Sequence, residues 1–254
     1  MALLEARDCA LSFGGLRAVA DFDLVVDAGQ VVGLIGPNGA GKTTCFNLIT
    51  GVYAPDAGSI TFDGRSIAGL PAHRIVQRGI ARTFQGIRLF GQMTVLENVL
   101  VGAPAARRGS IVGGVLRSAA SERAHAALDA EALRILDRLG LAAHAGAPAR
   151  SLPYGSQRRL EIARALATQP RILLLDEPAA GMNPQEKVAL MDTIRWLRDE
   201  LGLAVLVIEH DMKLVMGVCD RITVLDHGEV IAEGPPAAVR ADPKVIAAYL
   251  GEEA

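Results

Sequence analysis

No stretch of this chain is long and apolar enough to cross a bilayer. Half of the 254 residues are hydrophobic, yet the longest charge-free runs, Ala28–Gly41 and Thr43–Pro55, are 14 and 13 residues and both contain glycine and proline. A spanning helix needs about 20 mainly apolar residues. No secretion signal is expected either. Glu5, Arg7 and Asp8 follow Met-Ala-Leu-Leu at once, with neither a basic start nor an apolar run. Cysteine is scarce: Cys9, Cys45 and Cys219 make neither a disulfide framework nor a zinc pattern, and fit a reducing, cytoplasmic compartment. Charge is nearly balanced at −2, which argues against non-specific nucleic-acid binding. The apolar surplus is partly alanine, with 41 in all and 15 of them between residues 101 and 150.

The length allows one or two domains with a full core. The first part reads as sheet. Phe22–Val26 alternates loosely, Gln30–Ile35 is a short apolar run suited to a buried parallel strand, and Ser59–Phe62 follows a Pro55–Gly58 turn. Lys42–Thr50 suits a helix. The middle changes character. Gly109–Gly114 is loop-like, and Ser121 opens a helix that places Leu128, Ala132, Ile135, Leu136 and Leu139 on one face, with Gly140 where a C-cap belongs. A second helix is expected over Gln157–Thr168. Strands return at Arg171–Asp176 and Ala204–Ile208, separated by a helix over Lys187–Leu201. Arg221–Leu225 and Glu229–Ala232 flank Asp226-His227-Gly228 as a hairpin. Strands alternating with helices indicate an α/β core.

Two motifs carry chemistry. Gly36-Pro37-Asn38-Gly39-Ala40-Gly41-Lys42-Thr43 matches G-x-x-x-x-G-K-[ST] between an expected strand and an expected helix, the context that motif requires. Its glycines let successive N–H groups converge on phosphate oxygens, and the helix N-terminus adds partial positive charge. Lys42 is expected to reach the β- and γ-phosphates and the Thr43 hydroxyl to ligate Mg2+. Asn38, Gly39, Ala40, Gly41 and Thr44 complete the nucleotide candidates. The second motif is an acid pair ending four aliphatics, Ile172–Leu175. Asp176 stands where open α/β sheets bind ligands and is expected to hold Mg2+, directly or through water. Glu177 is then the candidate general base. The competing reading makes both ordinary loop acids.

Between these motifs lies Leu152-Pro153-Tyr154-Gly155-Ser156-Gln157-Arg158-Arg159-Leu160-Glu161-Ile162-Ala163-Arg164, which resembles the signature region of ABC ATPase subunits. Thr83-Phe84-Gln85 resembles the Q-loop, and Val207-Ile208-Glu209-His210-Asp211 the switch histidine. The resemblance spans essentially the whole chain. Gly79–Gln85, Leu89-Phe90, Met93–Val99, Pro178–Pro184, Ile208–Met212 and the tail Gly234–Gly251 look like the ATP-binding subunits of branched-chain amino acid importers.

That resemblance implies a P-loop NTPase core with an antiparallel N-terminal β subdomain and an inserted helical subdomain. It implies a core over 1–86 and 169–234, an insert with the signature over 87–168, and a helical tail over 235–254. The cofactors implied are ATP and Mg2+. Phe13 would stack on adenine, unless it is a core phenylalanine. Gln85 would contact Mg2+ or the attacking water, and His210 the γ-phosphate. Tyr154, Gly155 and Ser156 would offer N–H groups in trans to ATP held by a second ATP-binding subunit. The chain departs from the common Leu-Ser-Gly-Gly-Gln pattern. Pro153 removes a serine hydroxyl and a backbone donor, Tyr154 replaces a glycine and Ser156 the glutamine. Asn183 stands where the D-loop often has Asp. The implied partners are a second ATPase, two transmembrane permeases near Ile87–Val101 and, indirectly, a periplasmic substrate-binding protein, with no nucleic acid. The implied place is the cytoplasmic face of the inner membrane. The alternatives are a related system for urea, amides or lipopolysaccharide and lipid export, or an ATPase working on DNA or ribosomes. The single cassette and lack of basic extensions weigh against the last.

Overall fold

A computed structural model describes residues 2–103 and 119–250. The expected loop at Gly109–Gly114 lies outside them. The chain divides into two compact units, one of Met1–Arg82 with Arg171–Ala254 and one of Thr83–Pro170.

The first unit holds two sheets. β1 (Ala2–Phe13) turns through Gly14-Gly15 into β2 (Leu16–Asp27), and the pair is joined by β4 (Ala57–Phe62) and β5 (Arg65–Ser66) in the antiparallel order β2-β1-β4-β5. Both turn glycines have positive φ, which costs them nothing. The second sheet contains β3 (Val31–Ile35), β6 (Ile80–Arg82), β7 (Ile172–Asp176), β8 (Ala204–Ile208), β9 (Arg221–Asp226) and β10 (Glu229–Gly234), in the order β10-β9-β3-β8-β7-β6. All neighbours are parallel except β10, which runs antiparallel to β9. Every residue of β3, β7 and β8 is buried, which is why these strands are unbroken aliphatic runs rather than alternating ones. Leu4, Phe22, Leu24, Ile60 and Phe62 of the first sheet share one core with Leu34, Ile172 and Leu206 of the second.

Helices α1 (Lys42–Ile49), α2 (Ala72–Arg78), α6 (Pro184–Asp199) and α7 (Met212–Val218) belong to this unit. α6 begins three residues before its expected start. Asn183 caps it, and a reciprocal capping box with Glu186 and Pro184 in the first turn explain the earlier start. The tail forms α8 (Pro236–Ala241) and α9 (Pro243–Leu250), anchored by buried Val239 and Val245.

The second unit is helical: α3 (Val95–Gly102), α4 (Ala119–Arg138) and α5 (Tyr154–Leu166). α3 opens with a capping box between Thr94 and Glu97. On α4 the expected face is observed. Ala132 and Leu136 are buried, as is Leu139 just beyond the helix, while Leu128 and Ile135 are half-buried. Gly140 follows at φ 67°. α5 starts directly after Pro153, three residues before the expected Gln157. Among the described residues no helix is long and apolar enough to cross a membrane.

Candidate active site

The parallel strands bring the first unit's candidates to one sheet edge. β3, β8 and β7 are neighbours, with Asp176 level with Ile208. The phosphate motif leaves β3, the acid pair ends β7, and Glu209-His210 follow β8. That is the edge at which open α/β sheets bind ligands.

The loop's shape rests on close backbone approaches. Gly36 has φ 148°, and a Cβ there would lie 1.9 Å from the Leu225 carbonyl oxygen. A Cβ on Gly41, at φ 98°, would lie 2.7 Å from the carbonyl oxygen of Ala18. The turn of the β9–β10 hairpin braces the loop from outside. Gly228 N–H donates to the Ala40 carbonyl at 3.0 Å, and Ala20 N–H donates to the Gly228 carbonyl at 2.8 Å. Lys42 Nζ donates to the carbonyls of Gly36 and Pro37, both at 2.6 Å, so the ammonium folds over its own loop. Asn38, Gly39 and Thr43 are exposed, Gly41 and Thr44 half-buried and Ala40 buried.

Asp176 and Glu177 differ in environment. The Asp176 side chain is 4% exposed, and its Oδ2 accepts from Arg82 at 2.7 Å. Glu177 is half-buried and adopts φ 47°, a left-handed conformation uncommon for a non-glycine residue. Its N–H donates to the Ile208 carbonyl and its carbonyl accepts from Ala180 N–H, which holds the turn. Strain of this kind persists where its surroundings enforce it.

His210 is exposed at the tip of the next turn. The turn is organised from below by Glu209, whose side chain is fully buried. Its Oε1 accepts from Ala179 N–H at 2.7 Å, and its Oε2 accepts from the N–H groups of His210 and Asp211 at 3.0 and 3.2 Å. One carboxylate therefore joins the turn after Glu177 to the turn carrying His210. Asp211 in turn caps α7 through Lys213 and Leu214 N–H and pairs with Lys187 at 2.6 Å. The Lys187 hydrogen bond holds the Asp211 carboxyl below its ordinary range, and the same bond raises Lys187.

Phe13 is 44% exposed and meets Tyr53 edge to face, with centroids 5.1 Å apart. It is a surface aromatic rather than a core one.

Gln85, Tyr154, Gly155 and Ser156 belong to the second unit. There Arg158 of α5, 4% exposed, donates to the backbone carbonyls of Phe84 and Gln85, to Glu161 and to the Tyr154 hydroxyl. Glu161 accepts from Arg88 N–H at 2.8 Å, and burial pushes its carboxyl up. The helix bearing the signature thus grips the segment bearing Gln85. Ser156 is buried. Its N–H donates to the Pro153 carbonyl, and its hydroxyl accepts from Arg159. That amide is already engaged within its own chain.

The structure adds Arg82, Glu209, Arg158 and Tyr53 to the residues singled out from sequence. For Arg82 and Glu209 the available signal was a charge beside a fully apolar strand or run. That pattern demands a buried partner.

Among the described residues there is no group of three or more His, Cys, Asp or Glu placed to hold a metal ion by side chains alone. An exposed hydroxyl at Thr43 and a carboxylate at Asp176 do suit Mg2+, a hard cation that keeps waters and takes substrate phosphate oxygens as further ligands.

The ABC transporter family model matches residues 19–180, and that of the branched-chain amino acid ATP-binding cassette transporter matches residues 229–254. The chain is 48% identical over 250 residues to the high-affinity branched-chain amino acid transport ATP-binding protein LivG of Salmonella typhimurium, covering 98% of each. It is 36% identical over 254 residues to the lipopolysaccharide export system ATP-binding protein LptB of Escherichia coli, covering 100% of this chain and 99% of that one. The crystal structure of an ATP-binding cassette of an ABC transporter in its ADP conformation matches with a TM-score of 0.86 at 31% identity, covering 99% of each chain. The chain belongs to the ABC transporter family and is one of its ATP-binding cassette ATPases.

Proposed function

We propose that this chain is the ATP-hydrolysing subunit of an importer for branched-chain or related amino acids, working peripherally at the cytoplasmic face of the inner membrane. The observation that carries the ATPase mechanism is the shared sheet edge of the phosphate loop, Asp176-Glu177 and His210. The substrate reading rests on the 48% identity to a branched-chain amino acid transport protein, against 36% to a lipopolysaccharide export protein.

In this reading Phe13 offers its face to adenine, and the N–H groups of Asn38 to Thr44 surround the phosphates. Lys42 exchanges two carbonyl partners for phosphate oxygens, so its ammonium is presented without a search of rotamers. Thr43 and Asp176 would hold Mg2+, which would supply neutralising charge at the phosphates. Glu177 takes a proton from the attacking water as its oxygen bonds to the γ-phosphorus. The bond from that phosphorus to the bridging oxygen breaks, and ADP and phosphate leave. His210 fixes the γ-phosphate. Tyr154, Gly155 and Ser156 of a second subunit close over it. Phe90, Met93 and Val101 are exposed while Val95 and Val99 are core, so within Ile87–Val101 those three form the surface proposed to meet a permease.

Glu177→Gln tests the mechanism. It should bind ATP, accumulate as an ATP-bound dimer and turn over at least about 100-fold more slowly, within the range for loss of a general base. Wild-type turnover would remove Glu177 from that role. Uptake of labelled leucine, urea and an amide in cells lacking the chain tests the substrate, with leucine uptake expected to fall.

A further inference from the structure

We infer that Arg82 is a positioning residue for Asp176, tying the carboxylate proposed to face Mg2+ to the helix that begins at Lys42. The inference rests on the reading of Asp176 as a metal-side ligand and extends it to a residue outside the nucleotide motifs.

The guanidinium of Arg82 is almost wholly enclosed, with its side chain 7% exposed and that of Asp176 4%. It joins three elements. From the end of β6, Nη2 donates to Asp176 Oδ2 at 2.7 Å at the end of β7. Nη1 donates to Asn47 Oδ1 at 2.8 Å and Thr50 Oγ1 at 3.1 Å, in and just past the last turn of α1. Thr50 spends its own proton on the Phe46 carbonyl at 2.6 Å, so its oxygen faces Arg82 as an acceptor. The Phe46 ring lies 5.4 Å from the guanidinium carbon and completes the enclosure.

This arrangement fixes more than charge. A carboxylate can rotate about its Cβ–Cγ bond, and a hydrogen bond to one oxygen from a rigid, enclosed donor sets where the other points. The planar guanidinium addresses Asp176 and α1 together because its donors form a fixed fork. A lysine, as a flexible point charge, cannot keep all three partners. The pair also gives the buried Asp176 carboxylate a charged partner, since an unpaired carboxylate there would be costly. Arg82 immediately precedes Thr83-Phe84-Gln85, so it also pins the strand from which that segment departs.

The test uses the purified full chain with Arg82→Lys, Arg82→Met and, as reference, Asp176→Asn. ADP affinity is measured by calorimetry with and without Mg2+, and the Mn2+–ADP complex is read by its paramagnetic resonance spectrum. Metal-free ADP affinity should stay within about twofold of wild type. The gain on adding Mg2+ should shrink by about 10-fold in Arg82→Lys, the scale for losing a group that orients a metal ligand, and the Mn2+ spectrum should change. The Mg2+ concentration for half-maximal ATPase should rise correspondingly, with the KM for ATP at saturating Mg2+ unchanged. Folding is monitored by thermal melting, and if Arg82→Met does not fold, Arg82→Lys decides. A folded Arg82→Lys with the wild-type Mg2+ gain and spectrum would make Arg82 a mere core strut, and the inference fails. If Asp176→Asn keeps the full Mg2+ gain, the metal role of Asp176 fails, and the inference with it.

Discussion

Glu209 Oε1 accepts the backbone N–H of Ala179 at 2.7 Å, across two strand ends and thirty positions of sequence. With its other oxygen bound to the N–H groups of His210 and Asp211, this carboxylate holds the turn after Glu177 and the turn carrying His210 at a fixed separation. Glu209→Ala should leave three N–H groups without their acceptor. The expected loss is about 3 kcal/mol of stability by urea unfolding, with a larger fall in kcat than in ATP affinity. Glu209→Gln keeps an acceptor oxygen and should lose less of both.

Gly36→Ala tests the loop's shape independently of its chemistry. The new methyl would meet the Leu225 carbonyl at 1.9 Å in a conformation that L-residues avoid. We expect at least about 3 kcal/mol of destabilisation and loss of nucleotide binding, measured by thermal melting and ATP titration. A mild effect would mean that β9 can retreat from the loop.

Phe13→Ala should act on binding and not on folding, because nearly half of the ring is exposed. Loss of base stacking is worth about 1–3 kcal/mol, hence about 5- to 150-fold in ATP affinity. Tyr53→Ala should produce a smaller loss through the orientation of Phe13.

The Lys187–Asp211 pair gives a signed pH dependence. Asp211 is held below its ordinary value, so its contribution is complete above about pH 3.9 and is lost as pH falls through the folded value beneath that. Lys187 is raised, so its contribution is complete below about pH 10.4 and is lost as pH rises through the folded value above that. The Tm difference between wild type and Lys187→Met should therefore be flat from about pH 5 to pH 10 and vanish at both extremes.

What the sequence discloses follows from how local the physics is. The phosphate loop, the strand before Asp176 and the α4 face were all readable because each is written in contiguous residues. β1 was not. Its alternation is interrupted where pairing with β2 shifts between Ala6 and Cys9, and Asp8 there adopts φ 48°. The start of α5 was missed because Pro153, which caps it, ends one element and admits the next. Arg82 and Glu209 lie inside quoted motifs, but their partners do not. Arg82 meets Asp176 from 94 positions away, and only the order of the strands makes them neighbours.

The bond from Gly228 to Ala40 has a consequence for the order in which the molecule becomes competent. The phosphate motif leaves the ribosome well before the hairpin that braces it, since Gly228 stands 188 positions after Ala40. Gly36 likewise packs on a carbonyl of β9. A nascent chain extended as far as Asp176 carries every residue of the phosphate motif without the support that shapes the loop. Contacts this distant in sequence close late. The nucleotide site is therefore finished only once the β9–β10 hairpin exists, so a chain stalled or truncated before it should bind ATP poorly however complete its motif.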